Sequence, residues 1–277
     1  MPSPLSATMQ VMEISKPGGP EVLKLVTRRV PEPKPGEVLI EVAAAGVNRP
    51  DCFQRAGSYA PPPGASDLPG LEVAGTVVRL GGGVDEYGIG DRVAVEIHAG
   101  CGRCERCRMG MYTSCLNYGM NYGDHNKGHR ANGFTTDGGF AEYAVNHINT
   151  LVHVPVGMSD EEATLIVTAG TAMYGLDALG GLIAGESLVV TGPGPIGLMG
   201  VAVGKTLGAE PVILTGTRDS RLQLGIKLGA DHVVNVRKEN PVEAVKRIMQ
   251  GKGVHYVLEC SGAANSFNEA MDMVNRG

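Results

Sequence analysis

Four cysteines fall within fifteen residues of this 277-residue chain, as Cys101-x2-Cys104-x2-Cys107-x7-Cys115. Four thiolates at this spacing can close a tetrahedral shell around one Zn²⁺ and leave no coordination position open. That makes the metal a structural staple for a loop too small to have a core of its own. Four thiolates on Zn²⁺ leave a net charge of about −2, and Arg103, Arg106 and Arg108 lie among the ligands to offset it. An iron–sulfur run would read C-x2-C-x2-C-x3-C-P, and both the last spacing and the missing proline disagree. Disulfides between neighbours three apart are poor candidates in a reducing compartment.

A second constellation is Gly192-Pro193-Gly194-Pro195-Ile196-Gly197, a G-x-G-x-x-G run between an apolar strand, Ser187–Thr191, and a helix, Pro195–Leu207. The first glycine makes the tight turn, the second lets backbone approach a pyrophosphate, and the third lets helix and strand pack closely. The N–H groups and positive dipole end of that helix face the phosphates. A glycine triplet alone is an ordinary turn; the strand before it and the helix after it make it a dinucleotide signal. An acid about 20 residues on would bind the ribose 2′-OH of NAD(H). Here Gly216 stands at that tip, followed by Thr217, Arg218 and Arg221, which can hold a 2′-phosphate, so NADP(H) is favoured over NAD(H). The two arginines could also be the solvated first turn of a helix, and Asp219 could still reach the ribose.

Two different grammars position these groups. The first half shows short runs rich in Val, Ile or Ala, at Met9–Ile14, Leu23–Val30, Val38–Val47, Glu72–Leu80 and Ala141–Val145. They are bounded by Gly, Pro or Asp and imply an antiparallel sheet or small barrel. The second half alternates strands at Ser187–Thr191, Pro211–Thr215, His232–Val236 and Val254–Cys260 with helices at Pro195–Leu207, Arg218–Leu228, Pro241–Met249 and Ala263–Val274. That βα series implies a parallel sheet covered on both faces. Asp160–Gly180 reads as one or two helices joining the halves, and the expected domains are 1–154 and 155–277. The fold class is therefore β followed by α/β.

Composition narrows the partners. A net charge of −5 argues against a nucleic-acid or anionic-membrane surface, and no apolar run approaches the length of a membrane span. Tryptophan is absent and only 4% of residues are aromatic, which disfavours base-stacking platforms. The N-terminus has neither a basic n-region nor a long apolar h-region, so a cytoplasmic protein acting on a small-molecule substrate is expected.

Together these motifs resemble the medium-chain dehydrogenase/reductase superfamily, from about Met9 to Gly277. The resemblance implies a GroES-like catalytic domain, then a Rossmann domain, with the active site in the cleft between them. Gly46-Val47-Asn48-Arg49-Pro50-Asp51, continuing through Gln54-Arg55-Ala56-Gly57-Ser58-Tyr59, is similar to the quinone oxidoreductase branch. The cysteine lobe and Asp137-Gly138-Gly139-Phe140-Ala141-Glu142-Tyr143 are similar to the zinc alcohol dehydrogenases. Those enzymes place a catalytic-zinc Cys where this chain has Asn48, a His where it has Leu71, and often another Cys at Thr168. Asp51, Glu72 and Glu142 match acidic positions near that site, but three carboxylates without His or Cys make a poor zinc site. The family also continues with two strands beyond the fourth strand of the Rossmann half. These contact nicotinamide and commonly form a dimer interface, so the resemblance implies an incomplete Rossmann sheet here and a homo-oligomer in the family.

Alcohol oxidation without a Lewis acid is difficult, whereas a quinone or enone is already electron-poor and delocalises the charge that hydride brings. The expected activity is therefore hydride transfer from NAD(P)H to a quinone or enone, with one structural zinc and no catalytic one. The alternatives are a zinc-dependent alcohol or polyol dehydrogenase and a non-catalytic nucleotide-binding fragment. Asn48 and Tyr59 are the candidates to orient the acceptor, with Tyr59 or solvent supplying the proton. Asn48 could instead be a turn former, and Tyr59 a loop aromatic beside Pro61-Pro62-Pro63. Ser261 is expected near the nicotinamide ribose by resemblance, Cys52 and Cys260 are expected to be unliganded, and His125 and His129 read as solvated loop residues that could serve as ligands or a proton relay.

Overall fold

The computed structural model describes residues 5–59, 65–117 and 130–276. Two compact units emerge, Met1–Val167 and Thr168–Gly277. The break falls later than the expected 154/155 boundary because Val154, Ala163 and Ile166 pack with Ala74 and Ala94 of the first unit.

In the first unit, β1 (Thr8–Ile14) and β2 (Leu23–Arg29) form an antiparallel hairpin. A five-stranded antiparallel sheet follows the order β6-β3-β4-β5-β7, built from β3 (Glu37–Gly46), β4 (Glu72–Leu80), β5 (Arg92–Val95), β6 (Tyr143–His147) and β7 (Leu151–His153). Val38, Ile40, Val73, Val77, Val93, Val95 and Leu151 make one core cluster, while the intervening Ala74 and Ala94 are buried in another, as expected when successive side chains point to opposite faces. β5 and β7, of four and three residues, are not among the strands expected from sequence. Neither is long enough to display an alternating pattern. Helix α1 (Arg49–Ala56) follows β3, with Pro50 in its first turn and Gly57 in the left-handed region at its end.

One close approach ties this unit together. Residues 138–140 run against 68–70 with backbone hydrogen bonds from Gly138 N to Leu68 O (3.0 Å), Gly139 N to Gly70 O (2.9 Å) and Phe140 N to Pro69 O (3.0 Å). No side chain fits between the two segments: a Cβ at Gly138 would lie 2.4 Å from Pro69 O, and one at Gly70, where φ is +111°, 2.5 Å from Phe140 N.

After α3 (Asp160–Ala163) of the first unit, α4 (Ile166–Asp177), which begins just before the break, leads into a parallel sheet of order β10-β9-β8-β11 in the second. Its strands are β8 (Leu188–Thr191), β9 (Val212–Gly216), β10 (His232–Asn235) and β11 (Tyr256–Glu259), alternating with α5 (Pro195–Thr206), α6 (Asp219–Lys227), α7 (Pro241–Ile248) and α8 (Ser266–Met273). Leu188, Val190, Val212 and Leu214 pack with Leu198, Val201 and Leu222 in one cluster, while Val189 and Ile213 join Val234, Val245, Val254 and Met273 in another. Alternate strand residues thus enter opposite cores, and both faces are covered. The chain leaves β8 toward β9 and β10, then returns to pair β11 on the other side. This reversal is the topological switch point, and in doubly wound sheets ligands bind there, at the carboxyl ends of the strands, here β8 and β11. Among the described residues, no helix is long and apolar enough to cross a membrane.

Gly138→Ala is expected to destabilise the protein by about 1–3 kcal/mol, because the new methyl group must push backbone rather than a flexible side chain. Urea unfolding checks this as a lowered midpoint; an unchanged midpoint would mean the two segments can separate without cost.

Candidate active site and zinc lobe

The four cysteines converge. Their sulfurs all lie within 4.8 Å of one another, with Cys101–Cys107 at 4.0 Å and Cys104–Cys115 at 3.9 Å. A tetrahedron of Zn–S bonds has edges of about 3.8 Å, so the quartet fits one zinc ion. Helix α2 (Glu105–Arg108) starts at Cys104, whose sulfur accepts the Cys107 N–H. Further N–H groups aim at sulfur: Cys104 N and Asn117 Nδ2 at Cys101 Sγ (3.4 and 3.2 Å), and Asn117 N at Cys115 Sγ (3.4 Å). Burial pushes the Cys101 thiol up, but the N–H donors of Arg103, Cys104 and Asn117 outweigh it and bring the group down to about 6. Burial and the neighbouring thiols push Cys107 up to about 12, a cost that a bound dication removes. Sequence reasoning did not single out Asn117, whose amide orients the ligands from two residues beyond the last cysteine.

At the carboxyl end of β8, Gly192 takes φ +86°, and a Cβ there would lie 2.6 Å from the Ser261 Cα. Gly194 precedes α5 without a side-chain cap, and the space where its Cβ would stand is open. A Cβ at Gly197 would meet Gly192 O at 2.0 Å. The three glycines therefore serve the turn, the open approach and the close packing that a dinucleotide cradle requires, with Pro195 and Ile196 opening the helix. Gly216 ends β9 beneath Pro193, whose Cδ would lie 2.3 Å from a Cβ, so packing alone already demands glycine there. Thr217, Arg218 and Arg221 are exposed around the start of α6. Asp219 points elsewhere: its carboxylate accepts from Lys238 Nζ (2.9 Å) and Asn235 Nδ2 (2.6 Å), which hold it below the usual carboxylate range, the lysine foremost. Ser261 is engaged internally, donating through N–H (2.7 Å) and hydroxyl (2.6 Å) to Glu259 Oε1, which also accepts from Thr191 Oγ1. Burial alone would raise the Glu259 pKa, but the hydrogen bonds from Ser261 and Gly262 prevail and lower it. Glu259, at the tip of β11, is a residue the sequence reading missed.

In the first unit, Asn48 is the N-cap of α1, so it does form a chain turn, the opening of a helix. Its Nδ2 is buried without a hydrogen-bond partner among the described residues. Asp51 is 4% exposed and its two oxygens accept from Asn48 N (2.7 Å) and Gly70 N (3.1 Å). Burial raises its pKa, and these backbone donors only partly oppose that. Leu71 is buried with Ala131, Phe134 and Ile97. Tyr59 stacks on Phe134. Glu142 Oε2 accepts from Gln10 N (2.7 Å), and Glu72 is buried in β4. Asp51, Glu72 and Glu142 do not assemble: among the described residues, the cysteine quartet is the one group of three or more His, Cys, Asp or Glu side chains close enough to share an ion. The donor set thus does not fit a catalytic zinc, since Leu71 cannot coordinate, Asp51 is committed to backbone amides, and Asn48 is a weak neutral donor. Thr168 is buried in α4 of the second unit. Cys52 is exposed, while burial pushes Cys260 up to about 11. His125 and His129 lie outside the described residues.

An antiparallel sheet domain with a thiolate lobe, followed by a doubly wound sheet with a glycine-rich phosphate turn, defines a two-part nicotinamide-dependent dehydrogenase. Residues 34–156 match the alcohol dehydrogenase GroES-like domain and residues 195–277 the zinc-binding dehydrogenase domain. L-threonine 3-dehydrogenase of Pyrococcus horikoshii is 39% identical over 276 residues, spanning 98% of this chain and 74% of that protein. A candidate zinc-binding dehydrogenase of Sinorhizobium meliloti 1021, solved with NADP, superposes with TM-score 0.85 at 27% identity over 98% of this chain and 75% of that one. An alcohol dehydrogenase of Escherichia coli CFT073, solved with NADH, gives TM-score 0.80 at 26% identity over 97% of this chain and 74% of that one. The chain belongs to the medium-chain dehydrogenase/reductase superfamily and is a nicotinamide-dependent oxidoreductase.

Purified protein is expected to carry about one zinc per chain, lost in the Cys101→Ser/Cys104→Ser double variant and released on acidification, because the ligands bind as thiolates. Elemental analysis across a pH series checks this; a fully folded wild-type protein free of zinc would contradict it.

Proposed function

We propose that the chain reduces a quinone or enone with NADPH and uses no catalytic metal, its single zinc being structural. The observation that carries this reading is the fate of the metal-ligand positions: Leu71 is sealed in a hydrocarbon cluster, and both Asp51 oxygens are spent on backbone amides. An acceptor that delocalises incoming charge needs no Lewis acid, so the protein mainly has to hold and orient it.

Gly192, Gly194, Pro195, Ile196 and Gly197 hold the pyrophosphate. Gly216, Thr217, Arg218 and Arg221 receive the 2′-phosphate, and Ser261 lines the nicotinamide ribose. NADPH, when bound, supplies the hydride. Asn48 and Tyr59 orient the acceptor, the buried Asn48 amide, which has no hydrogen-bond partner among the described residues, turning outward to meet the acceptor's carbonyl oxygen. The proton comes from the Tyr59 hydroxyl or from water, which reaches this half-exposed residue. The engagement of Asp219 by Asn235 and Lys238 supports NADP(H), because the nearest carboxylate is withdrawn from the ribose. A second reading, metal-dependent oxidation of a β-hydroxy amino acid, draws on the identity to L-threonine 3-dehydrogenases.

The deciding assay compares NADPH oxidation by a small quinone and an enone with NADP⁺ reduction by L-threonine and short alcohols, each before and after chelation. Chelator-resistant reduction is expected; chelator-sensitive oxidation of threonine or another alcohol would overturn the proposal in favour of the second reading.

For the cofactor, the Pro193 contact means that Gly216→Asp would test packing and charge together, so the arginines are the cleaner probes. Arg218→Ala and Arg221→Ala are each expected to weaken NADPH binding about tenfold to a hundredfold, the worth of a charge-assisted hydrogen bond, with little effect on NADH. Equal losses for both cofactors by titration calorimetry would remove the 2′-phosphate assignment.

A further inference from the structure

Glu259 is the last residue of β11 and pairs in register with Thr191, the last residue of β8. One oxygen of its carboxylate, Oε1, gathers four donors. These are the Ser261 hydroxyl (2.6 Å), the N–H groups of Ser261 (2.7 Å) and Gly262 (3.1 Å), and the Thr191 hydroxyl (3.1 Å). The two strand ends are also tied directly, since Cys260 donates its N–H to Thr191 O (3.0 Å) and Thr191 Oγ1 (3.3 Å). Thr191 immediately precedes Gly192, the first glycine of the phosphate turn. Ser261 lies against that glycine: a Cβ at Gly192 would stand 2.6 Å from Ser261 Cα and 2.8 Å from Ser261 N. The turn is thus gripped at its root by Thr191 and backed by Ser261, and Glu259 holds both. On the other side, Gly192 N donates to Thr215 O (2.8 Å) of β9. A carboxylate this close to a phosphate turn works against an anionic ligand. Electrostatics alone would not place one there; its geometry as an acceptor does.

We infer that Glu259 is a positioning residue for the cofactor: it clamps the carboxyl ends of β8 and β11 and so fixes the shape of the glycine turn that receives the pyrophosphate. The acceptor oxygen performs this role and the negative charge does not. The inference rests on the reading of Gly192–Gly197 as the pyrophosphate cradle. Removing the oxygen leaves two N–H groups and two hydroxyls without their partner, so the turn at Ser261 and Gly262 that backs Gly192 must rearrange. Glutamine keeps one acceptor oxygen in the same place and preserves the clamp.

The test compares wild type, Glu259→Leu and Glu259→Gln in binding ADP-ribose, which carries the pyrophosphate, and adenosine, which has no phosphate. Calorimetry serves for the first and saturation-transfer NMR for the second. Neither ligand has a 2′-phosphate, so the result is independent of cofactor preference. Glu259→Leu is expected to weaken ADP-ribose binding about tenfold to a hundredfold, and adenosine binding less than about twofold. Glu259→Gln is expected to stay within about threefold of wild type for ADP-ribose. An unchanged ADP-ribose affinity in Glu259→Leu, equal losses for both ligands, or a glutamine variant as weak as the leucine one would overturn the clamp. Amide hydrogen exchange needs no ligand and separates the two ideas: Gly192 and Gly194 should exchange about tenfold faster in Glu259→Leu and near the wild-type rate in Glu259→Gln. If wild type binds ADP-ribose no tighter than adenosine but shows that exchange pattern, the cradle reading fails and the clamp stands. If both glycines exchange alike in all three proteins, the clamp fails.

Discussion

The contact between residues 68–71 and 133–140 governs the first unit's site. It is backbone against backbone, with glycine on both sides, because a Cβ at Gly70, Gly133 or Gly138 would lie within 2.7 Å of backbone atoms of the facing segment. The candidate site residues of this unit hang from it. Gly70 offers its N–H to Asp51, Asp51 fixes the N-terminus of α1 at Asn48, Leu71 is sealed beside Ala131, and Phe134 is brought under Tyr59. Asn132 adds a buried brace, donating its amide to both Gly70 O and Leu71 O at 3.0 Å and accepting from Asn146. Around it, Arg28 gathers Glu13, Asp67 and Asp137, clamping the hairpin to both segments from outside.

Carboxylates serve backbone N–H groups in both units, Glu259 and Asp231 in the second as well as Asp51 and Glu142 in the first. In the first, carboxylates are consumed by backbone: Asp51 serves two amides and Glu142 one. A buried acid in that role is a framework element, and ionising it is tolerable only because N–H groups converge on it. The phosphate turn differs: Gly194 opens α5 without a side-chain cap, as an anion-binding helix end requires.

Local features were legible in the sequence and through-space features were not. The cysteine spacing announced a convergent quartet because all four ligands lie within one short loop. The strand, glycine turn and helix around Gly192–Gly197 were legible because each is a contiguous pattern. β5 and β7 escaped because three or four residues cannot show a period, and α1 escaped because Asn48, Pro50 and Asp51 looked like a motif rather than a cap, a first-turn proline and a capping acid. Asp51 looked like a neighbour of a metal site; its real partner, Gly70, lies nineteen residues on and no spacing rule connects them. The Phe134 ring under Tyr59 and the Asn117 amide at Cys101 are likewise products of folding, invisible in a linear pattern.

The Pro193 ring lying on Gly216 carries a consequence for how such a protein can evolve. An acid at position 216 is the simplest way to favour an unphosphorylated ribose, but its first methylene would collide with the proline. Shrinking Pro193 beforehand gives up a residue that stiffens the phosphate turn. Each single step is thus a loss and only the pair can be a gain. The two positions are epistatic, and a lineage carrying this pair keeps glycine at position 216 through a barrier in sequence space.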